Sequence, residues 1–137
     1  MSNLGIKERH VGSVTILDAV GRLRIGLRFG GSSVTLADAI VALLASGHKN
    51  ILLNLDGVHV LGAKELGDLV WICLETRKGG GEFKLFNLTT ATRQLMQSTK
   101  LLTVLDVYES EDQAIQSFRD NQNVTLEINV AASNIGA

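Results

Sequence analysis

The chain of 137 residues contains no proline, one cysteine and few aromatic side chains. The single thiol, Cys73, has no partner for an internal disulfide, which favours a reducing compartment. Aromatic residues make up 4% of the chain and hydrophobic residues 45%, so the core must be built mainly from Leu, Ile, Val and Ala. That composition excludes a disulfide-stapled fold and favours layered α/β structure, in which glycines mark the turns.

An excess of charge and a long apolar run are also missing. Thirteen Lys and Arg against fourteen Asp and Glu give a net charge of -1, which supplies no long-range field to attract nucleic acid or an anionic membrane. No segment approaches the roughly 20 apolar residues of a membrane span, and residues 1–10 lack the pattern of a signal peptide. We therefore expect a cytoplasmic, single-domain protein that binds neither nucleic acid nor membrane.

Residues 50–70 form the most informative stretch, which reads NILLNLDGVHVLGAKELGDLV. Residues 51–55 are almost continuously apolar and too short for a helix, which predicts a parallel strand covered on both faces. From Ala63 onward, apolar residues recur every three or four positions, as on one face of a helix. Ligands and partners of open α/β sheets usually dock where a strand's carboxyl end leads into a helix. The loop over residues 56–62 is therefore the candidate site.

The rest of the chain reads as short strands and helices in alternation. Strand formers predict a hairpin from residues 6–9 and 14–20, with a turn at Gly12 and Ser13 and a second strand that extends to residue 23. The other predicted strands are 83–86 and a last core strand within 101–108, centred on 104–107. Helices are predicted over 36–44, capped by Ser32, Ser33 or Thr35, from 63, after Thr89 or Thr90, and after Ser110.

The end of the chain has a different pattern. Residues 1–119 are expected to form the domain and residues 120–137 a tail. In the tail, apolar residues at 124, 126, 128 and 130 alternate with polar ones, which predicts an added strand on the edge of this sheet or of a neighbour's. A flexible tail is the open alternative, because small and Asn residues flank the alternating part. An added strand would make a homodimer possible through the tail.

The order β-β-α-β-α-β-α-β-α resembles that of the STAS domain family, the sulfate-transporter and anti-sigma-factor-antagonist domain. The resemblance covers residues 14–118 and is carried by NILLNLDGV (50–58), LG (66–67), KGGGEFKL (78–85) and SEDQAI (110–115). It implies an α/β fold with a mixed central sheet of about four to five strands and about four helices, mostly packed on one face.

The resemblance also implies a function and a site. The family's usual role is to bind an anti-sigma factor that is also a serine kinase, which frees the sigma factor until phosphorylation ends the interaction. The family's switch typically reads Asp-Ser-Ser-Gly-Leu-Gly or Asp-Ser-Thr-Gly-Leu-Gly, and here residues 62–67 read Gly-Ala-Lys-Glu-Leu-Gly. Ala63 stands in place of the phosphorylated serine, Gly62 in place of the aspartate and Glu65 in place of the first glycine.

Alanine has no hydroxyl, so Ala63 cannot accept a phosphoryl group. A phosphate there would add close to two negative charges to a docking surface. Because the hydroxyl that would carry it is missing, the surface stays in the unmodified state. Lys64 also places a cation in the first turn of the helix, against the local dipole, which Glu65 partly compensates. Two interpretations stay open: altered binding without a switch, or drift in a paralogue that no longer binds a kinase.

We therefore predict an antagonist-like, non-enzymatic module that binds an anti-sigma factor or a serine-kinase-type regulator, with no cofactor and no metal. The predicted binding residues are Asp56, His59, Gly62, Ala63, Lys64 and Glu65.

Three other functions are weighed against this one. The first is a scaffold subunit of a signalling assembly, with contacts made by the tail. The second is a nucleotide- or lipid-binding module that uses Arg22, Arg24 or Lys64, which rests on charge alone. The third is a small hydrolase or transferase in which Asp56 and His59 share proton transfer. The third is disfavoured because no serine, cysteine or metal-ligand cluster accompanies the pair in the sequence.

Overall fold

The computed structural model describes residues 6–20, 35–58 and 61–119. Within these ranges the strands are β1 (Ile6–Val11), β2 (Val14–Val20), β3 (Asn50–Gly57), β4 (Glu82–Phe86) and β5 (Asp106–Tyr108). The helices are α1 (Leu36–Ala45), α2 (Ala63–Lys78), α3 (Thr90–Ser98) and α4 over residues 111–119. The strands form one sheet in the order β1-β2-β3-β4-β5, antiparallel between β1 and β2 and parallel elsewhere. The predicted class and element order are confirmed.

The central strand β3 is covered on both faces, as its apolar run predicts. Ile51, Leu53 and Leu55 belong to one core cluster, and Leu52 belongs to a second on the opposite face. All four side chains are buried. Because side chains alternate along a strand, a run without polar breaks fills both layers of the core at once.

The helices divide unequally between the two faces of the sheet. α1, α2 and α3 pack on the face of Ile51, and their buried residues include Leu36, Ile40, Leu43, Leu66, Leu69, Ile72, Cys73 and Met96. α4 covers the opposite face with Ala114, Ile115 and Phe118. The expectation that most helices pack on one face is confirmed.

Side-chain caps fix where three of the helices begin. Thr35 accepts the Asp38 N–H at 3.2 Å, and the Asp38 carboxylate accepts the Thr35 N–H at 3.3 Å, which forms a capping box at α1. Thr89 accepts the Thr92 N–H at 3.1 Å at the start of α3. Ser110 accepts the Gln113 N–H at 3.2 Å at the start of α4. Each of these hydroxyls satisfies a backbone donor that the helix itself leaves unpaired.

The predicted last core strand is wrong in position. Residues Leu101–Thr103 form a 3-10 turn that follows Lys100 in the left-handed region, at φ 62°, and strand structure begins only at Asp106. Leu101 and Leu102 pack against the core from this turn, and Leu105 is buried between the turn and the strand. A turn can also direct apolar side chains into the core, without the alternation of a strand. The apolar run alone therefore cannot distinguish a 3-10 turn from a strand.

The predicted strand 51–55 is also too short, because β3 continues through Asp56 to Gly57. A β-carbon at Gly57 would lie 2.7 Å from the Ala19 carbonyl oxygen and 3.0 Å from Val20 Cα. Glycine therefore permits the close approach of β2 and β3 at this end of the sheet. Asp56 consequently belongs to the strand and not to the loop.

Some expectations fall outside the described ranges. These are the extension of the second strand to residue 23, the side chains of Arg22, Arg24 and His59, and the tail over 120–137. None of the helices in the described ranges is long and apolar enough to cross a membrane.

Candidate functional site

The loop between β3 and α2 is anchored at both ends by buried side chains. Val58 is 3% exposed and Leu61 is 8% exposed. The Val58 N–H also donates to the Leu55 carbonyl oxygen at 3.0 Å, which closes a turn directly after the strand. Both anchors belong to the core cluster under α2, so the start of this helix is fixed to the sheet.

The first turn of α2 is capped by a carboxylate of its own. Gly62 occupies the cap position with extended backbone and has no side chain that could accept a helix N–H. Glu65 Oε1 accepts the Gly62 N–H at 3.0 Å, and Gly62 O accepts the Leu66 N–H at 3.0 Å. A carboxylate in the first turn is favoured by the helix dipole. Ala63, the first helical residue, is exposed beside this carboxylate.

The ammonium group of Lys64 lies along the helix and away from its N-terminus. Lys64 Nζ lies 3.0 Å from Asp68 Oδ2, one turn further along α2, and its side chain remains 70% exposed. Such exposed pairs contribute little to stability, roughly 0.3–0.5 kcal/mol. The pair moves the cation away from the positive end of the dipole, which relieves the unfavourable interaction expected from the sequence.

The structure brings together only part of the predicted site. Gly62, Ala63, Lys64 and Glu65 are consecutive at the start of α2. Asp56 is exposed at the end of β3, where the pairing of β2 with β3 shifts its register between Asn54 and Gly57. In the described part of the chain, no group of three or more His, Cys, Asp or Glu side chains could hold a metal ion.

A polar cluster behind the loop was missed by the sequence reasoning. Asn54, on the α4 side of β3, accepts the Asp56 N–H and one Asn87 Nδ2–H through Oδ1, both at 3.0 Å. Its own Nδ2 donates to Asp18 Oδ1 at 2.8 Å. The Asn54 side chain therefore ties the end of β3 to β2 and to the residue that follows β4.

Two further residues extend this cluster to β1 and α4. The Arg9 guanidinium binds both carboxylate oxygens of Asp18, with Nη2 2.9 Å from Oδ1, and the same Nη2 lies 2.8 Å from Glu111 Oε1. We call Arg9, Asp18, Asn54, Asn87 and Glu111 the Asp18 network. The detectable signal in the sequence is a charged or amide residue that interrupts an apolar run in each of two strands: Asp18 in residues 16–20 and Asn54 in residues 51–55.

Arg9 and Asp18 each favour the charged form of the other. The hydrogen bonds from Arg9 lower the pKa of the Asp18 carboxyl, against the opposing effect of burial, and the bond from Asn54 lowers it further. The two carboxylates raise the pKa of Arg9 in turn. Burial raises the pKa of the Cys73 thiol, whose side chain is enclosed by the core, so that thiol has structural character.

The family model of the STAS domain matches residues 9–114, which include β2, β3, the loop and α2. The chain belongs to the STAS domain family. Among curated proteins, none matches this STAS domain in sequence.

Solved structures of similar fold include several regulators of sigma factors. A Thermotoga maritima protein described as a candidate anti-sigma factor antagonist aligns with a TM-score of 0.66 and 22% identity, over 83% of this chain and 94% of its own. An anti-sigma factor antagonist from Mycobacterium paratuberculosis aligns with a TM-score of 0.65 and 23% identity, over 83% of this chain and 92% of its own. The Bacillus cell fate determinant SpoIIAA in its phosphorylated form aligns with a TM-score of 0.58 and 15% identity, over 82% of this chain and 98% of its own. At these identities the likeness shows the fold.

Proposed function

We propose that this STAS domain binds an anti-sigma factor or a related serine-kinase-type regulator at the start of α2, and that it is not phosphorylated there. The observation that carries the proposal is the position of Ala63. It is the exposed first residue of a helix that follows the buried Leu61, where the family motif places a serine. A docking position is kept while the group that would accept a phosphate is absent.

The structural neighbours support this reading in two ways. The Mycobacterium paratuberculosis protein and SpoIIAA are described as anti-sigma factor antagonists, and the Thermotoga maritima protein as a candidate one. SpoIIAA has been solved in both phosphorylated and unphosphorylated forms. A phosphate at a docking surface would add close to two negative charges and repel an acidic or tightly fitting partner. An alanine at that position keeps the surface permanently in the form without these charges.

The local electrostatics disfavour the nucleotide- or lipid-binding alternative at this helix. Phosphate groups bind helix N-termini through free N–H groups and the positive end of the dipole. The Glu65 carboxylate already accepts the Gly62 N–H and supplies negative charge there. A bound phosphate would lie close to this carboxylate, and the repulsion between the two negative charges opposes anion binding. The scaffold alternative depends on the tail and remains a prediction.

The decisive experiment restores the acceptor. The kinase-fold protein that copurifies with the wild-type domain from its host is expressed alone and incubated with labelled ATP and each purified variant. The wild type should bind it and take up no phosphate. Ala63→Ser should bind equally well, take up phosphate at residue 63, and then bind roughly tenfold more weakly or worse, because the new charge is repelled.

The matched control is Ala91→Ser, which adds the same hydroxyl to an exposed alanine in the first turn of α3. It should bind as the wild type does and remain unmodified. Recovery of no kinase-fold partner by the folded domain would remove the proposal. So would a partner that modifies Ala63→Ser and Ala91→Ser alike, because the surface at α2 would then have no special role.

A further inference from the structure

The side of α2 that faces solvent carries two large apolar side chains. Trp71 is 45% exposed and Leu74 is 46% exposed, although the opposite side of the same helix is buried in the core. Residues three apart on a helix are neighbours, so the two side chains form one patch. Tryptophan is enriched among the residues that carry most of the binding energy in protein interfaces, and the exposed leucine enlarges the apolar surface beside it.

Gly67 lies one turn before Trp71 and widens this patch. A β-carbon built on it meets nothing within 4 Å, so neither the fold nor the helix packing requires a glycine here. Glycine is also among the least favourable residues inside a helix. A missing side chain on an exposed helix face leaves a shallow depression, into which another backbone can pack closely.

Gly67, Trp71 and Leu74 share one face of α2 with two lysines, Lys64 and Lys78. On a helical projection these five residues fall within an arc of roughly 80°, opposite the buried residues of the helix. We call this set the outer face of α2; it consists of Lys64, Gly67, Trp71, Leu74 and Lys78.

The charges that project from this face are mainly positive at its two ends. The Lys64 and Lys78 side chains are 70% and 74% exposed, whereas their paired carboxylates, Asp68 and Glu75, are 17% and 41% exposed. The lysines lie 14 residues apart, or about 21 Å along the helix axis. A complementary surface is therefore apolar in the middle and carries carboxylates near both ends.

We propose that the outer face of α2 binds one amphipathic helix of the partner protein. The apolar side of that helix packs on Gly67, Trp71 and Leu74, with its backbone closest at Gly67, and its carboxylates meet Lys64 and Lys78. This is recognition of an amphipathic helix by a hydrophobic surface, with anchors at helical spacing. The inference rests on the proposed function and extends the docking surface from the first turn of α2 to the whole helix.

The first experiment maps the occupant. The photo-crosslinking amino acid p-benzoylphenylalanine replaces Trp71, Lys64 or Val41 in the full chain, in its host, and the crosslinked peptides are sequenced by mass spectrometry. Val41 is the control, because it is an equally apolar and 66% exposed residue on α1. Position 71 should crosslink to a segment with apolar residues at i, i+3 or i+4, and i+7 and with Asp or Glu near both ends. Position 41 should not.

The outcomes separate the two proposals. Crosslinks to a kinase-fold partner from position 64 with none from position 71 would overturn the helix-binding inference and leave the proposed function standing. Crosslinks from position 71 to an acidic amphipathic segment of a protein without a kinase fold would support the inference and overturn the proposed function. Crosslinks to a basic or extended segment, or no crosslinks from either position, would overturn the inference.

The second experiment uses the depression at Gly67. The segment crosslinked at position 71 is synthesised as a fluorescent peptide, and its affinity is measured by anisotropy. Gly67→Leu should fold at least as stably as the wild type, since its β-carbon meets nothing within 4 Å and leucine favours a helix, yet bind the peptide at least tenfold more weakly. Trp71→Ala should also weaken binding, and Val41→Ala should not. Equal binding by Gly67→Leu and the wild type would exclude close helix packing at this face.

Discussion

At the scale of single residues, the start of α2 is held in place without a contribution from the side chain at position 63. The cap of this helix does not depend on residue 63. Glu65, in the first turn, accepts the Gly62 N–H and places a negative charge near the positive end of the helix dipole. The Ala63 side chain is exposed. The fold therefore places little constraint on the identity of this side chain.

Two glycines provide a residue-scale prediction with a built-in control. Gly57→Ala should destabilise the domain by roughly 1–3 kcal/mol, because its β-carbon would lie 2.7 Å from the Ala19 carbonyl oxygen and force β2 and β3 apart. Gly67→Ala should instead stabilise it by up to about 1 kcal/mol, since the new methyl group meets nothing within 4 Å and alanine favours the helix. Urea denaturation measures both. Equal effects of the two substitutions would contradict the assignment of Gly57 to strand packing.

At the scale of elements, α4 is held to the sheet by an unusual buried cation. Lys84 on β4 is 2% exposed, and its Nζ donates to Ser117 Oγ at 2.8 Å and lies 4.6 Å from the Phe118 ring centroid. The Tyr108 hydroxyl lies 3.5 Å away. None of the ion pairs among residues 6–20, 35–58 and 61–119 involves Lys84. Two hydroxyls and two aromatic rings replace a carboxylate as its partners.

This arrangement predicts a non-additive pair of substitutions. Ser117→Ala should cost roughly 1–3 kcal/mol, because it removes the best hydrogen-bond acceptor of a buried ammonium group. Lys84→Met should change stability by less than about 1 kcal/mol, since a neutral chain of similar length packs against the same rings and Ser117 still donates to the Ala114 carbonyl oxygen. In the Lys84→Met background, Ser117→Ala should then cost little. Denaturant unfolding of the wild type, the two single variants and the double variant gives the four free energies of this double-mutant cycle. If Ser117→Ala costs the same free energy of unfolding with Lys84 and with Met at position 84, the prediction is contradicted.

A strand or helix can be predicted from the sequence only where its pattern of apolar residues fits a single type of structure. The run 51–55 is too short and too apolar to favour a helix, and the buried strand that it predicts is confirmed. Thr35, one of three predicted caps, begins α1. The run from Leu101 onward fits a strand and a turn equally, and it was assigned wrongly. The end of β3 was placed too early, because the close approach at Gly57 is a property of two strands together.

At the scale of the whole molecule, the Asp18 network joins elements that are distant in sequence. Arg9 and Glu111 are separated by 102 positions, yet they meet across the sheet and connect β1 to the start of α4. Asp18 and Asn54 are register partners on β2 and β3. The sequence displays each of these residues but not this register, so the network could not be predicted, whereas the consecutive residues at the start of α2 could.

The network predicts how stability depends on pH. The folded-state pKa of Asp18 is below its ordinary value of about 3.9, mainly because of Arg9, so the folded state favours the ionised carboxyl. Its contribution is fully present above roughly pH 4 and is lost as the pH falls through the folded-state pKa. Asp18→Asn should cost roughly 1–3 kcal/mol near neutral pH and flatten this acid loss.

Urea unfolding at a series of acidic pH values measures the slope. Arg9→Gln is the matched variant, because it leaves the carboxyl in place but removes the main cause of its lowered pKa, and it should also flatten the slope. Retention of the wild-type slope by Asp18→Asn would assign the acid sensitivity to other groups.

The exposed methyl group of Ala63 has a consequence for how this domain can change over generations. Alanine and serine codons of the GCN and UCN sets differ by a single base, and the helix start is capped without any help from residue 63. One nucleotide substitution would therefore return a hydroxyl to the surface with no loss of stability to oppose it. The fold leaves this change freely accessible, so nothing in the structure of the helix start itself keeps residue 63 an alanine.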